Sequence, residues 1–426
     1  MENKKGINKL KIAVLGLGFV GLTTALGFAD KGFDVVGYDI DLERIKKIKE
    51  GVVPFLEPGL DSAIKRTLGE QFRVASSAAN AAEHADCIFF CVGTPCGFEG
   101  KVDVKFLLSA IDSIISTVRA DCVFVIKSTI PPGTTTNVVM PHVRSKSFTG
   151  SIVVNPEFLR EGYCWTDFIN PDRIVCGCAE NDTRAVSLLT KLYAPFNAPV
   201  HFVSPNTAEF IKYLSNSLLA SLISFSNEMA LIAEATGDIN IAKAFRILHQ
   251  DKRLNGTGIS HYIYPGCGYG GYCLPKDTVA LSANAKANGF RPHILDSVIS
   301  LNDDISCLTA KKIESIAGNK DAKIGILGLS FKPDSDDVRD SPAAKIIACL
   351  IKDGYRNIYA YDPVAIENFH RVYGFDLIYC NSKDHLCLEC DTIALVTVWK
   401  EFSDCNQLYN TKKWIDCRYF WEEGVR

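Results

Sequence analysis

Short apolar runs alternate with amphipathic stretches through the N-terminal half of the chain. Lys11–Leu15, Asp34–Tyr38, Cys87–Val92, Val123–Lys127 and Ile152–Asn155 are brief, apolar and bounded by turn residues, a pattern that predicts buried strands. Between them, Leu42–Lys49 and Val104–Val118 repeat their apolar residues at helical spacing. Alternation of the two predicts an α/β fold with a doubly wound parallel sheet. From Asn206 the period changes. Ser204-Pro205-Asn206-Thr207 reads as a helix start, and Phe210, Tyr213, Leu214, Leu218, Leu222, Phe225, Met229 and Ile232 continue at three- and four-residue spacing towards Gly237. The predicted helix, Thr207–Thr236, is apolar on more than one face over Leu218–Phe225, so it is expected to be covered on both sides, by two domains or by a partner subunit. Helical patterns follow at Ile239–His249 and Thr278–Asn288. A second alternating region opens at Lys323, with strands Ile324–Leu327 and Asn357–Tyr361 and a helix begun by Ser341-Pro342, serine as cap and proline at the first helical position. The expected domains are 1–205, 206–305 and 306–426.

Composition narrows the class. A chain of 426 residues that is 47% apolar can bury two or three cores. With 22% charged residues and a net charge of −3, nothing in it suggests nucleic-acid binding or a polybasic membrane surface. Its sixteen cysteines are scattered, many inside apolar runs such as Cys87–Cys91 and Val175–Cys178. They read as buried thiols in a reducing, cytoplasmic setting. Cys387 and Cys390 form a C-x-x-C beside His385, either half of a zinc or redox site or the end of a helix before the strand Thr392–Val396; with no second ligand pair nearby, the helix end is preferred, and no metal is expected. Lys4, Lys5, Lys9 and Lys11 ahead of the apolar stretch Ile12–Ala29 imitate a signal peptide. Gly16, Gly18, Gly21, Gly27 and Asp30 argue instead for strand, turn and helix. No other segment reads as long and apolar enough to span a membrane, and a soluble protein is expected.

Candidate chemistry lies at the strand ends. Gly16-Leu17-Gly18-Phe19-Val20-Gly21 follows a strand and opens a helix, the arrangement that seats a pyrophosphate on backbone N–H groups. Asp39 ends the second strand about 20 residues on, where a carboxylate can hold a ribose and repel a 2′-phosphate, which favours NAD over NADP. Arg44 nearby could instead stack on adenine. The two alternating regions are thus Rossmann-like, the second lacking a full glycine fingerprint. Val92–Pro95 and Lys127–Thr134 are small, hydroxyl-rich strand exits suited to close contact with a cofactor, or simple turns. Asn155–Gly162 sets Glu157 and Glu161 on either side of Arg160, a pattern also expected of an exposed helix with paired charges. Lys212 and Asn216 share a helix face and could hold a developing oxyanion, although a lone lysine is more often merely solvated. In Gly268-Tyr269-Gly270-Gly271-Tyr272-Cys273-Leu274-Pro275-Lys276-Asp277, a thiol stands behind glycines, and if Pro275 opens a helix the thiol lies near its positive end, where a thiolate is favoured. A hydride acceptor plus a cysteine nucleophile suggests an oxidation through a thioester.

Together, Gly16–Gly21, Val92–Pro95, Ser128–Thr134, Asn155–Gly162, Glu209–Asn216, Gly268–Asp277 and Gly328–Ser341 resemble the UDP-glucose/GDP-mannose dehydrogenase family, in order and across nearly the whole chain, Lys11 to Arg418. The resemblance implies two Rossmann-like domains, the first binding NAD and the last the nucleotide sugar, joined by a central helix and a helical dimerisation region. It implies oxidation of a sugar C6 alcohol to the carboxylate with two NAD⁺ per sugar. Cys273 would be the nucleophile, Lys212 and Asn216 would hold the C6 oxygen, Glu157 would be the base for thioester hydrolysis, and Thr129 and Asp277 would position water. Cofactor contacts would come from Phe19, Val20, Thr94, Ser128, Thr129, Glu161 and Lys276 beside the glycine turn, Asp39 and Arg44. Substrate contacts would come from Glu157, Phe158, Leu159, Arg160, Lys212, Asn216, Tyr262, Tyr269, Gly270, Phe331 and Lys332, with Arg339 near the nucleotide or sugar and Arg253 lent to a neighbouring subunit. Tyr272 and the Lys276-Asp277 pair favour UDP-glucose over N-acetylhexosamine substrates, with GDP-mannose as the alternative; a two-electron hydroxyacid-type dehydrogenase or an NAD-binding regulatory protein fits less well. Three features depart from the family. The stretch Leu254–Ser260 is longer than expected between Arg253 and the tyrosine-rich loop. Asp416-Cys417-Arg418-Tyr419 replaces its Asp-Gly-Arg-Asn, and Cys267 stands six residues before Cys273 as a potential disulfide partner.

Overall fold

A computed structural model describes residues 10–256 and 258–421; Lys4, Lys5 and Lys9 lie outside the described residues. The chain divides into two compact units, one up to Leu214 and the other from Ser215.

The first unit is built on an eight-stranded sheet in the order β3-β2-β1-β4-β5-β6-β7-β8. Its strands are β1 Lys11–Leu15, β2 Asp34–Tyr38, β3 Phe72–Val74, β4 Cys87–Phe90, β5 Val123–Ile126, β6 Ser151–Val154, β7 Ile174–Gly177 and β8 Val200–Val203. The first six are parallel to one another. At β7 the direction reverses: Val154 pairs with Gly177 antiparallel, and β8 runs parallel to β7. The strands predicted from the sequence all lie in the parallel part, and a buried apolar run such as Val175–Cys178 reports burial and not strand direction. Helix α1, Phe19–Asp30, crosses from β1 to β2, and its Phe28 sits among Phe89, Phe168, Tyr193 and Phe196 with centroids 5.1 to 5.7 Å away. Such edge and tilted contacts add to the burial itself, about 2 to 3 kcal/mol for one large side chain. A short helix α2, Cys164–Ile169, lies between β6 and β7.

The second unit holds a five-stranded parallel sheet, order β11-β10-β9-β12-β13, from β9 Ile324–Leu327, β10 Ile358–Tyr361, β11 Ile378–Tyr379, β12 Thr392–Leu395 and β13 Lys413–Asp416. Helix α3, Pro205–Thr236, spans both units by sequence and starts two residues before the predicted Thr207. After it come α4, Cys273–Ala287, α5, His293–Ala317, and α6, Pro342–Lys352, the last capped by Ser341, whose Oγ accepts from Ala343 N at 3.2 Å.

Three sequence expectations change. Among the described residues α3 is long and apolar enough to cross a membrane by length and composition. The pattern hid this because polar residues such as Asn216, Ser217, Ser221, Ser224 and Asn227 interrupt the apolar run. Within this chain Phe210, Leu214, Leu218, Phe225 and Ile232 of α3 stay exposed. Secondly, the cysteines are not all thiols: Cys307 of α5 and Cys349 of α6 form a disulfide with Cα atoms 5.7 Å apart, which the packing of two helices distant in sequence makes possible and linear spacing cannot reveal. Thirdly, Asn155–Arg160 is irregular chain and not an exposed helix. Cys387 and Cys390 are buried around the end of the helix Lys383–Glu389, ahead of β12.

Candidate active site

The glycine turn after β1 is shaped by contact. Gly16 has φ +90°, and a Cβ there would lie 2.7 Å from the carbonyl oxygen of Cys91. A Cβ on Gly21 would lie 1.7 Å from the oxygen of Gly16, so α1 can approach the strand only with glycine at that position. Gly18, at the head of α1, has no atom within 4 Å of its Cβ position, which leaves the helix N-terminus open for a phosphate. Asp39 is buried at the end of β2; Oδ2 accepts from Leu17 N at 2.6 Å and Oδ1 from Asp41 N at 2.9 Å. Arg44 Nη1 pairs with the same carboxylate at 3.0 Å, so in this structure its guanidinium engages Asp39. Phe19 packs on Phe55 with ring centroids 5.0 Å apart. These features fit a dinucleotide with a free 2′-hydroxyl: a bare helix end for the pyrophosphate and a fixed carboxylate for the ribose.

The neighbouring strand exits are tied together. Ser128 Oγ donates to Val92 O at 2.7 Å, and Thr94 Oγ1 donates to Thr129 O at 2.8 Å. Beneath them Lys127 is buried, with Nζ 2.9 Å from Asn155 Oδ1, and burial lowers its pKa. Glu157, two residues past Asn155, is buried as well. Its Oε1 lies 2.8 Å from Lys212 Nζ and its Oε2 accepts from Leu159 N at 2.7 Å. Burial alone would raise the Glu157 pKa, but the attraction of Lys212, the Leu159 N–H and Lys127 outweigh it, and the carboxyl is held below its ordinary value. Lys212 is only 4% exposed, so it is not a solvated lysine. Arg160 pairs with Asp167 at 2.7 Å. Arg173 lies over the Phe158 ring at 4.2 Å, and Leu159 packs on the main core.

Two further carboxylates in this unit were not singled out by sequence reasoning. Glu57 is buried and uses both oxygens, accepting from Gly162 N at 2.8 Å and Cys164 N at 2.7 Å, so it fixes the chain around Glu161. Glu209, one turn before Lys212 on α3, accepts from Gly133 N at 2.6 Å and Thr135 N at 2.8 Å. Glu209 belongs to the Glu209–Asn216 motif, yet the partners of both carboxylates are distant in sequence.

In the second unit Cys273 is exposed and is itself the first residue of α4, with Tyr272 as the cap position. The expectation that Pro275 opens the helix is off by two residues, and the thiol lies at the helix head. Asp277, one turn into α4, is 1% exposed. Lys276 Nζ is 2.6 Å from its Oδ1, and Asn216 Nδ2 donates to its Oδ2 at 2.6 Å. Tyr272 is flanked by two cations, Arg339 at 4.7 Å and Lys276 at 5.5 Å from its ring centroid. The loop before Cys273 is pressed against the 328–341 segment. Gly271 N donates to Arg339 O at 2.9 Å, a Cβ on Gly270 would lie 2.3 Å from Asp340 O, and one on Gly271 would lie 2.9 Å from the Phe331 ring. Lys332 Nζ lies 5.7 Å from the Phe331 centroid. Arg253 is exposed and paired with Asp251, and Tyr262 ends a short 3-10 turn, Gly258–Tyr262. Cys267 and Cys273 are not bonded to each other: Cys267 is fully buried in the core beside Cys417, its sulfur 3.8 Å from Val396 O. Arg418 Nε donates to that same carbonyl at 2.7 Å.

Residues 10–197 match the NAD binding domain of the UDP-glucose/GDP-mannose dehydrogenase family, 206–304 its central domain and 325–423 its UDP binding domain. The UDP-glucose 6-dehydrogenase of Rickettsia conorii is 36% identical over 413 residues, 95% of this chain and 93% of that protein. That of Pseudomonas aeruginosa is 36% identical over 410 residues, 92% of this chain and 88% of that protein. A UDP-glucose dehydrogenase structure from Pyrobaculum islandicum superposes with a TM-score of 0.91 at 34% identity, covering 98% of this chain and 96% of that one. With matches along nearly its whole length and a glycine turn, buried ion pairs and helix-head cysteine at the corresponding motifs, this chain belongs to the UDP-glucose/GDP-mannose dehydrogenase family.

Proposed function

We propose that this chain is an NAD-dependent nucleotide-sugar 6-dehydrogenase whose substrate is UDP-glucose and whose product is UDP-glucuronate. The observation that carries the reading is Cys273, an exposed thiol at the head of α4 with the Asn216–Asp277–Lys276 cluster fixed one turn behind it. Bound NAD⁺ supplies the hydride acceptor for each of two oxidations. In the first, C6 gives a hydride to that acceptor and the hydroxyl proton passes to water while Lys212 and Asn216 hold the oxygen. The Cys273 sulfur then adds to the aldehyde carbon, and the thiohemiacetal keeps a reactive intermediate bound. Loss of the second hydride leaves a thioester. Glu157, ionised through its pairing with Lys212, takes a proton from a water positioned with Thr129 and Asp277; that water attacks the acyl carbon, and the thiol departs. Gly16, Gly18, Gly21 and Asp39 hold the cofactor, with Phe19, Val20, Arg44, Thr94, Ser128, Glu161 and Lys276 around it. Residues 157–160, Arg253, Tyr262, Tyr269, Gly270, Phe331 and Lys332 serve the nucleotide sugar. The names of the relatives at 36% identity and the Tyr272-Cys273 sequence favour UDP-glucose over N-acetylhexosamine sugars and GDP-mannose. The exposed apolar stripe of α3 supports a homodimer or higher homo-oligomer, and the many buried thiols support a cytoplasmic enzyme. The test is an NADH-release assay over UDP-glucose, UDP-N-acetylhexosamines and GDP-mannose. The expected result is turnover of UDP-glucose with two NADH per sugar; one NADH per sugar with aldehyde released would overturn the mechanism.

A further inference from the structure

The role given to Cys273 depends on the chain before it, and from Gly266 to Tyr272 that chain has no regular secondary structure. Glycines at 266, 268, 270 and 271 make its backbone intrinsically loose. Its order comes from one face of α5. Asn302, 4% exposed, accepts from Tyr269 N at 2.8 Å through Oδ1 and donates to Tyr269 O at 3.1 Å through Nδ2. One turn on, Ser306 Oγ donates to Cys267 O at 3.2 Å. Gly268, with φ +106°, lies so close that a Cβ would meet Ile305 Cγ2 at 2.9 Å and Asn302 Oδ1 at 3.0 Å. One turn back, Val298 packs in a cluster with Tyr269 and Ala220, against which Leu274, the neighbour of Cys273, also rests. From α3, Asn227 Oδ1 accepts from Gly266 N at 2.7 Å, but its amide nitrogen has no partner. Asn302 therefore stands apart: it uses both ends of its carboxamide on one residue and acts as a strand partner would.

We propose that Asn302 is a positioning residue for Cys273, holding the loop so that the thiol captures the C6 aldehyde before it escapes. The inference rests on the reading of Cys273 as the aldehyde trap. Among side chains of this size only asparagine offers an acceptor and a donor on one plane; aspartate lacks the donor and leucine lacks both. A nucleophile shifted by about 1 Å loses on the order of a hundredfold in rate. Cofactor contacts on the glycine turn of the first unit are untouched by such a shift.

The test uses the full-length enzyme with Asn302→Leu and Asn302→Asp, supplied with UDP-glucose and NAD in the presence of semicarbazide, and counts semicarbazone, NADH and UDP-glucuronate. The expected result is a kcat lower by about 10- to 100-fold, KM for NAD within about twofold, and aldehyde captured as semicarbazone where the wild type yields none. A purely structural role would lower the melting temperature or the active fraction without releasing aldehyde. Folded variants with wild-type kcat, or with reduced kcat and no aldehyde, would overturn the proposal. Should the leucine variant fail to fold, the aspartate variant decides alone, because it keeps the shape and the acceptor for the Tyr269 N–H. A wild type that forms only one NADH per sugar would remove the underlying reading of Cys273, and the inference with it.

Discussion

In the proposed mechanism Cys273 and Glu157 do different work, and separate variants should stop the reaction at different points. Cys273→Ser is expected to retain sugar and cofactor binding but to lose four-electron turnover by about a thousandfold or more, stalling after one NADH; single-turnover NADH counting checks this. Glu157 and Glu209 illustrate how two buried carboxylates acquire opposite pH behaviour. Glu157 is held below its ordinary pKa, since Lys212 and the Leu159 N–H outweigh burial, so the stability it contributes is present above the unfolded value, about 4.3, and is lost as pH falls towards the folded one. Burial dominates at Glu209 and raises its pKa despite the Thr135 and Gly133 donors. The folded state then holds that proton more tightly, and stability declines as pH rises from the unfolded value through the folded one. Chemical denaturation across the acid range up to neutrality should accordingly show a shallower acid loss for Glu157→Gln, whereas Glu209→Gln should remove a decline on the rising side. The same sign for both variants would contradict these assignments.

At the scale of elements, two glycines of one turn have separable functions. Gly18→Ala meets no atom within 4 Å, so its melting temperature should stay near that of the wild type, while KM for NAD rises roughly tenfold through the methyl at the pyrophosphate seat. Gly21→Ala forces a Cβ to 1.7 Å from a backbone oxygen and should destabilise the first unit by about 3 kcal/mol or more, measured by urea unfolding. The turn itself was legible in the sequence because the glycine fingerprint is local. So were Leu42–Lys49, which forms as predicted, and the Ser341-Pro342 start of α6. What stayed hidden needs a partner far along the chain. Glu57 reaches 105 residues ahead to Gly162, and Asn302 reaches 33 back to Tyr269. The Cys307–Cys349 bond joins two helices, and nothing in the hydrophobic pattern distinguishes these cysteines from the fourteen thiols. Burial can be inferred from pattern, but the identity of the contacting group cannot.

Over the whole molecule, the two sheets are wired alike. The second repeats the order of the first five strands, β3-β2-β1-β4-β5 against β11-β10-β9-β12-β13. Gly16 and Gly328 both have left-handed backbones, φ +90° and +92°, and their N–H groups donate to Tyr38 O and Tyr361 O at 2.8 Å in each case. Asp39 and Asp362 follow those tyrosines and accept from Leu17 N and Leu329 N. The difference lies in the rest of their partners. Asp39 adds Asp41 N and Arg44, whereas Asp362 adds Ser330 N, Ser330 Oγ, Trp399 Nε1, Val364 N and Ala365 N. Asp362→Ala should therefore leave several buried donors without an acceptor and cost about 3 kcal/mol or more by calorimetry, while Asp39→Asn should fold normally and weaken the preference for NAD over NADP. The later segment keeps the bends and the acid, but there the acid is occupied by donors of its own domain. The NAD binding domain matches residues 10–197 alone, and an isothermal titration should return one molecule of NAD for each polypeptide.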